Sequence, residues 1–398
     1  MKHTQSANTA VAEPTITTSA EESPRIDFLY LSEKDMIDAG VTDMAGCVEA
    51  MEDMFRLLKA GDYRMGGPNN NSHGVMMVFP EESPFPNMPK DGPDRRYMAM
   101  PAYLGGRFDT VGMKWYGSNV ENRKKGLPRS VLMLTLNDKD TGAPLAHMSA
   151  NILSAFRTGA VPGVGVKYFA KEDVKVFGVV GPGVMSKTTL DATMAVRPGI
   201  ELVKIKGRSE KSLQSFIAYA KAKYPTIREY EVVEDIEHAV RGADVVSVAP
   251  STPTGDIDLY LYIDEEWIAP GAVLCCPAAA RFDDDFILNR ARTVTDNIEL
   301  YEAWAEEVPY PAYETIPIPA VHVMDLIADG KMDRADVDDL PDIITGETPA
   351  HRQEGEKIIY SVGGMPIEDV AWGTIVYRNA LAKGIGTKLN LWETPYLA

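Results

Sequence analysis

Cysteine is nearly absent from this chain. Cys47, Cys275 and Cys276 are the only three among 398 residues. An odd count with no CxxC spacing argues against a disulfide framework or a cysteine zinc site, and a reducing cytoplasm is the expected setting. Cys275 and Cys276 lie in the apolar run VLCCP and read as small core residues. Histidine is also scarce, and His3, His73, His147, His238, His322 and His351 show no metal-ligand spacing. Basic residues are outnumbered, 40 against 58 acidic, for a net charge of -18. Such a chain lacks the positive surface that nucleic acid or an anionic membrane requires, so neither is expected as a partner. No apolar run reaches the roughly 18 residues of a spanning helix. Residues 1–24 are rich in Thr, Ser, Ala and Glu and have no apolar core, so they read as a flexible tail rather than a signal peptide.

What the chain does have is VKVFGVVGPGVMSK, Val174–Lys187. It reads as an apolar strand ending at Gly181-Pro182-Gly183, then a helix start. That arrangement suits a dinucleotide pyrophosphate. Gly181 permits the tight turn and Gly183 lets the backbone approach. The first-turn N–H groups around Val184, Met185 and Ser186 face the anion. Ser186 takes the place of the third glycine of the usual pattern. A helix is expected over Thr188–Val196, then a strand at Glu201–Ile205 and a helix at Lys211–Lys223. Glu231–Val233, a helix at Ile236–Val240 and an apolar strand at Asp244–Ala249 follow, the last ending at Pro250 and Ser251. Strands alternating with helices predict a doubly wound parallel sheet. The second strand ends in Lys206, Arg208, Ser209 and Lys211, with no acid until Glu210. Basic residues there suit a 2′-phosphate, so NADP(H) is favoured and NAD(H) remains possible.

Before this unit the pattern predicts a strand at Ile26–Leu31 and helices at Glu33–Ala39 and Met44–Ala60. Strands follow at Val75–Phe79, Tyr97–Ala102, Thr110–Trp115 and Ser130–Asn137. Ala143–Ser149 should return antiparallel to the last of these, and Ala150–Ala170 should be a long helix. Pro80–Pro93 reads as an exposed insertion. After the unit, Val321–Ala328, Arg334–Ile344, Ile358–Ser361 and a helix over Ile367–Lys383 carry no second fingerprint. The expected fold is α/β: a Rossmann-type doubly wound parallel sheet inserted in an α+β substrate-binding and dimerisation domain. The expected boundaries are 25–165 for the first part of that domain, 166–322 for the Rossmann domain and 323–398 for the C-terminal part.

Several segments in order resemble the ornithine cyclodeaminase/mu-crystallin family. They are MPAYLGG (Met100–Gly106), VGMKW (Val111–Trp115), GLP with DKDTGAPLA (Gly126–Ala146) and SAFRTGA (Ser154–Ala160). GVVGPGVMSK, ITGE (Ile344–Glu347), IIYSVGGMPIEDVAWGTIVY (Ile358–Tyr377) and GIGT (Gly384–Thr387) complete the set. The resemblance implies a two-domain homodimer that moves hydride between a nicotinamide and the α-carbon of an amino acid through an imine. It implies that Lys114 is the substrate lysine, that Arg157 binds the substrate carboxylate, that Thr158 faces the cofactor and that Ser361 lies near the nicotinamide. Asp369 also matches a family acid, and is expected to act as a first-turn acid favouring the helix dipole. Asp296 is expected to cap the turn after its strand.

Two departures steer the activity. The acid that serves proton transfer in cyclodeaminases falls near Ala280, which cannot accept a proton; Asp283 and Asp284 are the nearest replacements. The family's carboxylate-clamping arginine falls in PNNNSHG near Asn70 or Asn71, with Arg64 and His73 as candidate substitutes. His73 is also a candidate general acid or base near neutral pH. The expected activity is an NAD(P)H-dependent imine or amino-acid oxidoreductase acting on a small amino acid, oxo acid or imine. A cyclodeaminase-type ammonia lyase is the alternative, and a non-catalytic NADPH-dependent binding protein the second.

Overall fold

A computed structural model describes residues 24–67, 69–252 and 255–397. The expected N-terminal tail, apart from Pro24, lies outside them. The chain opens with β1 (Ile26–Leu31), α1 (Glu33–Asp38), α2 (Met44–Ala60), β2 (Tyr63–Met65) and β3 (Val75–Val78). It continues through β4 (Arg96–Leu104), β5 (Thr110–Ser118), β6 (Ser130–Asn137), β7 (Pro144–Ser149) and α3 (Asn151–Phe169). Next come β8 (Val176–Val180), α4 (Val184–Val196), β9 (Leu202–Lys206), α5 (Glu210–Lys223), β10 (Glu229–Val232), α6 (Ile236–Val240) and β11 (Val245–Val248). Then follow β12 (Val273–Cys276), α7 (Asp284–Asn289), β13 (Ala291–Thr295), α8 (Ile298–Glu307), α9 (Ala312–Thr315) and α10 (Pro319–Ala328). The chain closes with β14 (Asp338–Asp339), α11 (Leu340–Thr345), β15 (Lys357–Ser361), α12 (Pro366–Lys383) and β16 (Thr387–Trp392).

Two sheets organise these elements. The first runs β16-β1-β7-β6-β5-β4-β2, with β3 also on β4. Its β4, β5, β6 and β7 form an antiparallel meander, and β16 returns to pair with β1. Alternation along β5 turns Gly112, Lys114 and Tyr116 inward and Met113 outward. Helix α12 covers part of that inner face: a Cβ on Gly112 would meet Val370 at 3.0 Å, and one on Gly373 would meet Leu134 at 2.3 Å.

The second sheet runs β10-β9-β8-β11-β12-β15-β13-β14 and is parallel throughout. Its central strands are buried on both faces, as βαβ crossovers require. Cys275 and Cys276 are buried in β12, as the apolar run suggested. Order reverses between β8 and β11, which opens a crevice at their carboxyl ends.

The helix after the glycine turn runs Val184–Val196 with Gly183 as its N-cap, so the helix start expected directly after Gly183 and the stretch expected over Thr188–Val196 are one helix. One expectation needs correction. The boundary at 322 fails for Ile358–Ser361. Strand β15 lies between β12 and β13 in the parallel sheet. Its run KIIYS is apolar enough for a central strand, yet no phosphate-type turn follows to mark it.

Candidate active site

The crevice between β8 and β11 is built from backbone. Gly181 sits at φ +90°, and a Cβ there would lie 2.5 Å from the Ala249 carbonyl oxygen. Only glycine lets β8 turn so close to the end of β11. Gly183 caps α4 without a side-chain bond and has nothing within 4 Å of its Cβ position. The first-turn N–H groups of Val184, Met185 and Ser186 therefore keep their donors for an anion. Ser186 turns its hydroxyl back to the Gly181 carbonyl at 2.7 Å and accepts from Ser247 at 3.0 Å, so it packs helix against strand. These features fit a dinucleotide pyrophosphate.

The rim carries the basic residues. Arg208 donates to the Ser251 carbonyl at 3.0 Å, which brings the ends of β9 and β11 together beside Pro250. Ser209 caps α5 by accepting from the Ser212 N–H at 3.3 Å. Lys211 is exposed in the first turn of α5. Lys206 spends its ammonium on the Glu234 carbonyl.

A buried charged group joins β5, α3 and α12. Lys114 on β5 donates to Asp369 Oδ2 at 2.7 Å. Arg157 on α3 donates from Nε to Asp369 Oδ1 at 3.0 Å and from Nη1 to Glu368 Oε2 at 2.6 Å. Side-chain exposure is 2% for Lys114, 5% for Arg157 and zero for both acids. Burial, reinforced by the nearby Arg157 charge, lowers the Lys114 pKa to about 8. Burial raises Glu368 to about 7, against the pull of Arg157. Asp369 is thus more than a dipole-favouring first-turn acid: it joins the two cations. Neither its bridging role nor that of Glu368 was foreseen. The signal was present in MPIEDVAW, two adjacent acids inside an apolar run that leaves them no solvent face.

Gly364, at φ +83°, fixes the approach to this group, since a Cβ there would lie 2.7 Å from Arg157 Nη1. Its carbonyl accepts from His73 Nδ1 at 2.7 Å. A carbonyl only accepts, so the His73 proton sits on Nδ1 and Nε2 is a bare acceptor. Burial, with the charge of Lys114, pushes the His73 pKa down to about 3. With its pKa that low the imidazole is neutral at pH 7, so of the expected acid or base role this geometry suits the base, through Nε2. Asp296 accepts from the Gly363 and Gly364 N–H groups at 2.8 and 3.2 Å and from Tyr301 at 2.7 Å, so it caps the turn that carries Gly364.

The other loop residues do not join the centre. Asn71 is buried, donating to Glu299 at 2.5 Å and accepting from Tyr63 and Asn297 at 2.8 Å each. Asn70 is exposed at φ 59°. Arg64 is exposed and turns its guanidinium to the Gly61 and Tyr63 carbonyls. Substitution of the clamp by Asn70, Asn71 or Arg64 is therefore not what the geometry provides. The loop instead docks on α8, where Ser72 donates to Glu307 at 2.8 Å and the His73 ring lies 5.3 Å from that of Trp304.

Thr158 and Ser361 are likewise occupied, Thr158 with the Ser154 carbonyl at 2.7 Å and Ser361 with the Ala320 N–H at 3.0 Å. Ala280 is buried, and its carbonyl accepts from Tyr313 at 2.6 Å. Asp283 is bonded by Tyr262 at 2.8 Å and Asp284 pairs with His322 at 2.7 Å. Those partners place neither acid on Lys114 or Arg157.

A glycine turn at the switch point of a doubly wound sheet, together with a buried lysine and arginine, is the arrangement of a dinucleotide-dependent oxidoreductase of Rossmann type. The chain belongs to the ornithine cyclodeaminase/mu-crystallin family, whose model matches residues 40–384. It is 29% identical to an alanine dehydrogenase of Archaeoglobus fulgidus over 300 residues, 74% of this chain and 84% of that protein. It is 25% identical to a Delta(1)-pyrroline-2-carboxylate reductase of Bacillus cereus, again over 74% of this chain and 84% of that protein. Among solved structures it is similar to an archaeal alanine dehydrogenase dimer with bound NAD. The TM-score is 0.72 at 26% identity, covering 92% of this chain and all (100%) of the other. No described helix is long and apolar enough to cross a membrane.

Proposed function

We propose that this chain reduces the C=N bond of an imine derived from a 2-oxo acid, or oxidises the matching amino acid in reverse. When bound, the reduced nicotinamide supplies the hydride. Arg157 spends only part of its fork on Asp369 and Glu368, and its remaining N–H donors receive the substrate carboxylate. Lys114 holds the proton that the substrate nitrogen needs. Its lowered pKa keeps it charged at neutral pH yet willing to give the proton up. Asp369 orients both cations, and the Gly364 carbonyl holds His73 so that its neutral face closes the pocket.

The observation that carries this reading is the convergence of Lys114 and Arg157 on one buried carboxylate. The lyase alternative needs an acid free to serve the substrate amine; Asp369 and Glu368 are engaged with Lys114 and Arg157, and the partners of Asp283 and Asp284 favour neither for that task. A purely binding role leaves the cost of burying four charged side chains unexplained.

The cofactor in this reading is NADP(H) in preference to NAD(H), because Arg208, Ser209 and Lys211 follow the end of β9 and no acid precedes Glu210, the first residue of α5. The first sheet pairs two copies of the chain: Tyr97, Met113, Val131 and Met133 expose apolar surface on its outer face. The test is absorbance of reduced nicotinamide with either cofactor, against 2-oxo acids plus ammonia or methylamine, cyclic imines, and L-ornithine. Steady oxidation with an oxo acid and amine or with a cyclic imine is the expected result. Ammonia release from ornithine with no net oxidation would overturn it in favour of the lyase.

A further inference from the structure

The inner face of the first sheet continues past Lys114 with apolar side chains. Register sets Met98 opposite Tyr116, Tyr116 opposite Leu132, and Met100 opposite Lys114 itself. Met98, Met100 and Tyr116 form a buried cluster separate from the main core, with Leu132 packed against it. The Lys114 ammonium lies 5.8 Å from the Tyr116 ring centre, so cation and apolar wall are adjacent. Met76 stands opposite Met98 and carries the wall to the sheet edge, where it is 53% exposed.

Beside Lys114 stands His73, bonded through Nδ1 to the Gly364 carbonyl. His73 is neutral there and offers an acceptor, and its ring rests near Trp304. Behind it the loop is anchored on two acids, Glu299 and Glu307. In the centre, Asp369 and Glu368 already face the two cations. One substrate carboxylate can use the spare donors of Arg157. A second would meet methionine sulfur, a phenol ring and an imidazole lone pair, since Arg96, the next residue on this face, is already paired with Asp94 at 2.5 Å. Methionine walls adapt to unbranched and branched alkyl groups alike.

Resting on the oxidoreductase reading above, we propose that the substrate is a monocarboxylic 2-imino acid with an apolar side chain, and that the pocket excludes a second carboxylate. The experiment compares kcat/KM of the full chain, with its preferred reduced cofactor and methylamine or ammonia, on two sets of oxo acids. One set is 2-oxopentanoate and 4-methyl-2-oxopentanoate; the other is oxaloacetate and 2-oxoglutarate. The expected preference for the first set is on the order of 100-fold or more, the scale of rejection when a polar group is left unpaired. A preference below about tenfold, or for the second set, overturns this inference and leaves the oxidoreductase reading standing. Oxidation with no member of either set and with no cyclic imine overturns the oxidoreductase reading, and this inference with it. Met76→Arg, at a half-exposed edge, is expected to narrow the ratio at least about tenfold by giving the second carboxylate a partner. An unchanged ratio in a folded Met76→Arg protein would place the wall away from the substrate and overturn the inference.

Discussion

The glycine turn at Gly181 and the buried centre at Lys114 are built by different means. The turn works through backbone: one glycine at φ +90°, a second open to the crevice, and the first-turn donors of α4. Its parts are contiguous in sequence. The centre works through side chains from β5, α3 and α12, and Lys114 and Asp369 are 255 residues apart. A backbone site tolerates change in most side chains around it. A site of paired buried charges fails when any one partner is lost, because the others are left uncompensated.

That contrast can be broken in order of expected effect. Asp369→Ala should be the most damaging, leaving Lys114 and Arg157 buried without their shared partner. Stability should fall by about 3–5 kcal/mol in denaturant unfolding, the usual cost of breaking a buried pair from one side. An effect no larger than that of an exposed pair would mean water or another group reaches the cations. Gly181→Ala should act locally instead. The strained φ and the 2.5 Å approach to the Ala249 carbonyl should weaken cofactor binding about tenfold or more, read by reduced-nicotinamide fluorescence, with a cost of about 1–2 kcal/mol in stability.

The third effect is on pH. Reduction requires the Lys114 ammonium, so kcat/KM should be level below about 8 and fall about tenfold per unit above it. Glu368, held up near 7, gains charge over the same rise and should weaken carboxylate binding in the same direction. A profile that climbs through pH 8 would mean the neutral amine is the working form. Smallest should be Arg208→Ala, expected to weaken NADPH several-fold with NADH nearly unchanged, as befits an exposed charge on a phosphate. Equal losses for both cofactors would remove Arg208 from the 2′-position.

The same contrast explains what could be read in advance. The turn and the alternation of β8 to β11 with helices were legible because each depends on neighbours in sequence, whereas Lys114 was named through the resemblance to the family. The helix start directly after Gly183 is where the glycine turn puts it. Strand β15 was given to the wrong unit, since apolar runs do not announce which sheet they enter. Lys114 and Arg157 were named as separate binders; that Asp369 links them depends on how α12 lies over β5, a tertiary fact. For the PNNNSHG loop, sequence offered Asn70, Asn71, Arg64 and His73 equally. Docking on α8 chose among them, turning Asn71 toward Glu299 and leaving only His73 beside the cations.

The most direct test of the central claim is a single-turnover experiment on Lys114→Ala and the unaltered chain. Each is loaded with reduced cofactor and mixed with the best oxo acid and amine pair, and the loss of reduced-nicotinamide absorbance is followed. The account predicts unchanged cofactor affinity and hydride loss slowed about 100-fold or more, the usual worth of a positioned proton donor. A rate within about twofold of the unaltered chain would show that the buried lysine is not where the chemistry happens.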